Sequence, residues 1–154
     1  MPKLKLSPTQ EIHQWFEKAF PERTPRLFEL QLGVMLEEVT ELLQALGLPH
    51  HELQETSDHL KESRYTDFLE TSTQDPSIRT EILDALADIT VTTVGVGYSA
   101  DVDYEGGLKE VVRSNNSKFA EDGSPIYNEL TGKLMKGPLY SAPELESFAN
   151  KLIK

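Results

Sequence analysis

Apolar residues recur along most of this chain at helical spacing, and the breaks between them are marked by proline, glycine and capping residues. Ile12, Trp15, Phe16 and Ala19 fall on one face of a helix. Ser7-Pro8-Thr9-Gln10 starts it, with a serine cap, proline in the first turn and a glutamine three residues on. That helix should run to about Phe20, where Pro21 to Pro25 interrupts it. A second helix is predicted from about Arg26 to Leu46, stopped by Gly47. His50 to Thr73 is polar, with scattered Leu53, Leu60, Tyr65, Phe68 and Leu69, and reads as a surface helix plus a loop.

Asp75-Pro76-Ser77 opens a third long helix, Ile78 to about Ala100. The run Ile89 to Val94 is β-branched and alone would suit a buried strand. The preceding Glu81 to Asp88 is strongly helical and no breaker follows it, so one long buried helix is the better reading. A shorter helix follows from Tyr104 to Asn116, with Leu108, Val111 and Val112 inward. Asp122-Gly123 and Thr131-Gly132 signal turns, around a small hairpin or irregular segment. Ser141-Ala142-Pro143-Glu144 looks like a capping box that begins a terminal helix. The fold expected is all-α: one domain over residues 1–154, a bundle of four or five helices with a short irregular or hairpin segment near the C-terminus.

Composition narrows the function classes. A hydrophobic fraction of 38% and a charged fraction of 27% are ordinary for a globular protein. There is no cysteine, so any metal must bind through oxygen or histidine. The four histidines, His13, His50, His51 and His59, show no ligand spacing. Met1 to Leu6 has no apolar signal core, and no apolar run would span a bilayer, so a soluble cytoplasmic protein without membrane partners is expected. A net charge of −11 argues against nucleic acid as a partner. Residues 1–104 hold 8 Lys/Arg against 19 Asp/Glu, and the remaining 50 residues are neutral. The excess acid therefore lies in the front of the chain, and the back third carries the balancing cations.

Some of those acids fall where solvation does not explain them. Wound at about 100° per residue, the second helix places Glu38 and Glu41 within its apolar arc beside Val34, Val39 and Leu42, with Glu37 at the edge. On the third helix Glu81, Asp84 and Asp88 share one face with the small residues Ala85, Thr92 and Gly95. A lone Glu-x-x-Glu is usually a solvated helical turn; a second acidic face on an otherwise apolar helix changes that. Burying unpaired carboxylates costs several kcal/mol, and Arg23, Arg26 and Arg79 are the only cations expected nearby. A divalent cation resolves the conflict, and all-oxygen ligation favours Mg²⁺, with Mn²⁺ as a substitute.

Glu37-Glu38-Val39-Thr40-Glu41-Leu42, followed by Asp84-Ala85-Leu86-Ala87-Asp88 on an apolar helix, resembles the all-α NTP pyrophosphohydrolase superfamily, in its MazG-like and phosphoribosyl-ATP-pyrophosphohydrolase-like branch. The likeness continues through Glu110 to Lys118, Asp122-Gly123 and Gly132 to Pro138. It implies a MazG-like helical protomer that assembles as a homodimer or dimer of dimers. The implied reaction is Mg²⁺-dependent hydrolysis of a nucleoside triphosphate, a dNTP or a non-standard nucleotide, to the monophosphate and pyrophosphate. By position Glu38, Glu41 and Asp88 resemble the metal ligands, and Glu37 the carboxylate that activates water. The family's Glu-x-x-Asp would place its Glu at Ala85; either Asp84 substitutes, or Glu81-x-x-Asp84 is the register and Asp88 is auxiliary. Arg113, Asn115, Lys118, Lys133 and Lys136 are candidates for substrate phosphate and base. The other class of reading is a catalytically silent acidic helical protein that binds a metal or a partner.

Overall fold

A computed structural model describes residues 6–130 and 132–150. The N-terminal residues 1–5 and Thr131, half of one predicted turn, lie outside them. The described residues form seven helices and no strand: α1 (Pro8–Ala19), α2 (Pro25–Ala45), α3 (His51–Lys61), α4 (Thr66–Ser72), α5 (Pro76–Ser99), α6 (Tyr104–Asn116) and α7 (Glu146–Ala149). The fold is all-α, as the periodicity predicts. The chain makes two compact units, Glu22–Leu86 and the remainder, with α5 running through both.

In the Glu22–Leu86 unit, α2 is the organising element and packs on α3 and α4. Thr24 caps it by accepting the Leu27 N–H at 3.0 Å, with Pro25 in its first turn. Gly47, at φ +69°, ends it in the left-handed conformation that glycine adopts without cost. One turn of α2 also fixes the break between its two neighbours. Arg26 donates to the carbonyls of Leu60 and Lys61 at 3.2 and 2.6 Å, closing the end of α3. Glu29, fully buried, accepts the Tyr65 N–H at 2.7 Å and the Thr66 hydroxyl, opening α4. The expected surface helix plus loop is therefore two helices, each capped by a residue about 35 positions away.

In the other unit, α1 packs on α6 and α6 on α7. Trp15 meets Phe16, Phe20 and Phe119, and Phe20 meets Tyr127, edge-on or tilted with ring centroids 5.0–6.3 Å apart, and Ala19, Val112 and Phe119 are buried. Among the described residues the segment after α6 carries a single antiparallel bridge, Tyr127 to Leu134, so it is irregular with a hairpin-like contact. The predicted terminal helix begins later, at Glu146, and spans four residues.

The helix α5 forms over its predicted length, but burial does not follow. Among its residues only Gly97 is buried, and Leu83, Val91 and Tyr98 are 70%, 68% and 81% exposed. No helix among the described residues is long and apolar enough to cross a membrane.

Candidate functional site

The stretch Glu37–Glu41 lies where two faces of α2 diverge. The packed face carries Glu29, Gly33 and Thr40, all buried, with Glu37 half-buried between them. Gly33 is the point of closest approach to α3. A Cβ there would lie 2.9 Å from Lys61 Cγ, 3.0 Å from the Ser57 carbonyl oxygen and 3.1 Å from the Lys61 nitrogen. The buried Ser57 hydroxyl donates to the Gly33 carbonyl at 2.8 Å. That contact brings Lys61 alongside Glu37, one turn further along α2. The Lys61 ammonium lies 3.1 Å from Glu37 Oε1 and 3.2 Å from Asp58 Oδ1, and Gln54 donates to the same Asp58 oxygen at 3.0 Å. Burial works against the charge on Lys61, but the hydrogen bonds to Glu37 and Asp58 outweigh it and hold its pKa above the ordinary lysine value. The hydrogen bond from Lys61 likewise holds the Asp58 carboxyl below the ordinary range.

Glu38 and Glu41 lie on the other face and are exposed, together with Val39 and Leu42. On α5, Glu81, Asp84 and Asp88 are exposed as well. The expectation that both acidic faces point into the core of the chain is thus corrected: the apolar arcs that surround them are themselves uncovered. Glu41, Glu81, Asp84 and Asp88 make no ion pair among the described residues. Their oxygen donors suit a hard divalent cation. No group of three or more His, Asp or Glu side chains among the described residues is gathered as a metal site.

The cationic candidates lie on and after α6. Arg113 forms a two-pronged pair with Glu110, at 2.8 and 2.7 Å, and donates to the Ala142 carbonyl at 3.0 Å. Glu110 also accepts the Glu144 N–H at 2.9 Å. The Arg113 hydrogen bonds, followed by that amide, pull the Glu110 pKa down to about 2. Ser114 donates to the Ser141 carbonyl, and Ser117 accepts the Ser141 N–H, both at 2.8 Å. Gly137 donates to the Lys118 carbonyl at 2.9 Å, and a Cβ on it would meet that oxygen at 2.7 Å. The Glu110–Lys118 and Gly132–Pro138 segments therefore meet through the Gly137–Lys118 backbone bond, and the Ser114 and Ser117 hydroxyls hold Ser141 beside them. Lys118 and Lys136 lie 5.9 and 4.4 Å from the Trp15 and Tyr140 ring centroids. Asn115 is half-buried on α6, and Lys133 is exposed.

Two residues escaped the sequence reading, Lys61 and Glu29. Lys61 belongs to a segment that reads as surface, and Glu29 is isolated in an apolar run. The one local hint is Gly33 in the middle of a helix, where glycine costs about 1 kcal/mol relative to alanine and implies a close neighbour. Gly106 and Gly107 lie inside α6 against Phe148.

No protein-family model matches the chain, and no curated protein matches it. Among solved structures it is similar to a "putative NTP pyrophosphohydrolase" from Exiguobacterium sp. 255-15, with a TM-score of 0.61 and 18% identity over 90% of each chain. At that identity the likeness shows the fold alone: an all-α fold shared with that protein.

Proposed function

We propose that this chain is a metal-dependent nucleoside triphosphate pyrophosphohydrolase of the cytoplasm, acting on a dNTP or a non-standard nucleotide. The observation that carries the reading is a set of exposed carboxylates without ion pairs, Glu41, Asp84 and Asp88, on two helices of a chain with this fold. Glu38, Glu41 and Asp88, with Asp84 or Glu81, would hold Mg²⁺ or Mn²⁺. The metal, when bound, would neutralise phosphate oxygens and acidify a water. Glu37 would accept a proton from the attacking water molecule, whose oxygen forms the new bond to the α-phosphorus. The bond from the α-phosphorus to the bridging oxygen breaks, and pyrophosphate leaves. Lys118, Lys133 and Lys136 supply charge to the phosphates, Asn115 orients phosphate or base, and Arg113 contributes from its clamp with Glu110.

The nucleotide's partner in this proposal is a homodimer, or a dimer of dimers. A helix that is apolar on all sides belongs in an interior, and α5 exposes Leu83, Ile89, Val91, Val94, Val96 and Tyr98. A second copy would cover them.

Incubation with Mg²⁺ and a panel of NTPs and dNTPs, read by pyrophosphate release, tests the activity. Turnover is expected for at least one nucleotide, and Glu38→Gln and Asp88→Asn should abolish it while circular dichroism stays unchanged. Failure of every nucleotide would sink the enzyme reading in favour of a metal- or partner-binding protein. Light scattering after size exclusion should find a dimer or larger that Val91→Glu dissociates; a monomer at tens of micromolar would refute the assembly.

A further inference from the structure

We infer that Lys61 is a positioning residue for Glu37, holding its carboxylate from α3 in one orientation toward the attacking water. The inference rests on the reading of Glu37 as the base and concerns what makes that base effective. A glutamate on an open helix face samples several rotamers, and a general base works only from within hydrogen-bond reach of its proton. Glu37 stands at the border between the packed and exposed faces of α2, next in sequence to Glu38. A contact from α3 holds it there without occupying the exposed side.

Lys61 is built for that task. Its carbonyl accepts Arg26 Nη2 at 2.6 Å, and its backbone meets α2 at Gly33, so the root of the side chain is fixed. Its ammonium is shared by Glu37 Oε1 and Asp58 Oδ1 at 3.1 and 3.2 Å, and Gln54 holds Asp58 in turn. The side chains of Lys61 and Glu37 are only 25% and 28% exposed, which distinguishes the pair from the open ion pairs of Arg64–Glu62 and Lys109–Glu105. With two carboxylates on one ammonium, Lys61 is committed to orienting Glu37 rather than to gripping a phosphate.

Lys61→Met should lower kcat by about 10- to 100-fold, within the ~10²–10⁴-fold that a general base contributes, with KM changed less than about threefold. Lys61→Arg should recover most of the loss, because a guanidinium keeps the charge and two donors. In a Glu37→Gln background Lys61→Met should have no further effect on kcat, a non-additivity that a general structural role would not produce. Asp58→Asn, which leaves Lys61 in place but removes its second anchor, should give a smaller fall of the same kind if Lys61→Met does not fold. An unchanged kcat, a rise in KM alone, or an additive effect in the Glu37→Gln background would overturn the inference while leaving the enzyme reading intact. Absence of turnover in the wild-type protein would overturn both.

Discussion

Gly33→Ala puts the packing that creates the α2–α3 contact to a direct test. In an open helix interior this change stabilises by about 1 kcal/mol, since glycine gives up more backbone entropy than alanine. Here the new Cβ would come within 3.0 Å of the Ser57 carbonyl oxygen and 3.1 Å of the Lys61 nitrogen. Both are backbone atoms, so rotating a side chain cannot relieve the clash, and α3 must move by several tenths of an ångström. Overpacking of that kind costs about 1–3 kcal/mol. The 2.8 Å bond from Ser57 to the Gly33 carbonyl would also weaken, and a hydrogen bond contributes about 1 kcal/mol. Set against the propensity gain, the net expectation is a loss of about 1–2 kcal/mol, or a Tm lower by about 3–6 °C. Gly107→Ala is the control. Its Cβ would find only ordinary contacts, 3.8 Å from Leu145 and 3.9 Å from Phe148, so it should stabilise by about 0.5–1 kcal/mol. Urea unfolding of the two variants beside the wild type gives both signs. If Gly33→Ala proves as stabilising as Gly107→Ala, α3 does not approach α2 as described, and the placement of Lys61 beside Glu37 falls with it.

Two further outcomes follow from the polar contacts. Glu29→Ala removes a fully buried acceptor from the Tyr65 N–H and the Thr66 hydroxyl and should cost about 2–4 kcal/mol; Glu29→Gln, which keeps one acceptor oxygen, should cost about half. A change under about 1 kcal/mol for Glu29→Ala would mean that the start of α4 is held by something else. Glu110 has a folded pKa of about 2, below its ordinary 4.5, so its hold on the Glu144 amide is present above about pH 4.5 and lost as the pH falls through about 2. Hydrogen exchange at the Glu144 amide, corrected for intrinsic rate, should accelerate across that window; protection that is flat from pH 5 to 2 would contradict the assignment.

Much of the helical layout was legible in the sequence, because periodicity and caps agree with it. The boundaries of α1, α2, α5 and α6 fall within about two residues of expectation. In α5 the β-branched run is helical despite its propensity, and Thr92 and Thr93 satisfy their hydroxyls on the carbonyls of Asp88 and Ile89, at 2.8 and 2.6 Å. Where local signals failed, distant residues had taken the groups that a local rule assigns. Ser141 should have capped a helix, but its N–H and carbonyl are bound by Ser117 and Ser114, and Glu110 holds the Glu144 N–H. The helix begins at Glu146 instead. The break between α3 and α4 depends on Arg26 and Glu29 in the same long-range way.

The site itself was legible as chemistry but not as geometry. Helical periodicity sorts α2 into an apolar arc, containing Glu38 and Glu41, and a more polar remainder; the obvious expectation is that the apolar arc packs inside the chain. The face that does pack carries Glu29, Gly33 and Thr40. Shape decides this more than hydrophobicity. Gly33 lets α3 come within van der Waals distance of the α2 backbone, Thr40 satisfies its own hydroxyl on the Leu36 carbonyl at 2.8 Å, and Glu29 is matched by two donors. Once those polar groups are paired, burying them costs little. The larger apolar side chains Val39, Leu42 and Leu46 are then left exposed beside the carboxylates. On α5 the same juxtaposition recurs, with Leu83, Leu86 and Ile89 next to Asp84 and Asp88. Exposed apolar surface interleaved with exposed carboxylates is costly for an isolated chain, and on α5 the proposed second copy would relieve that cost.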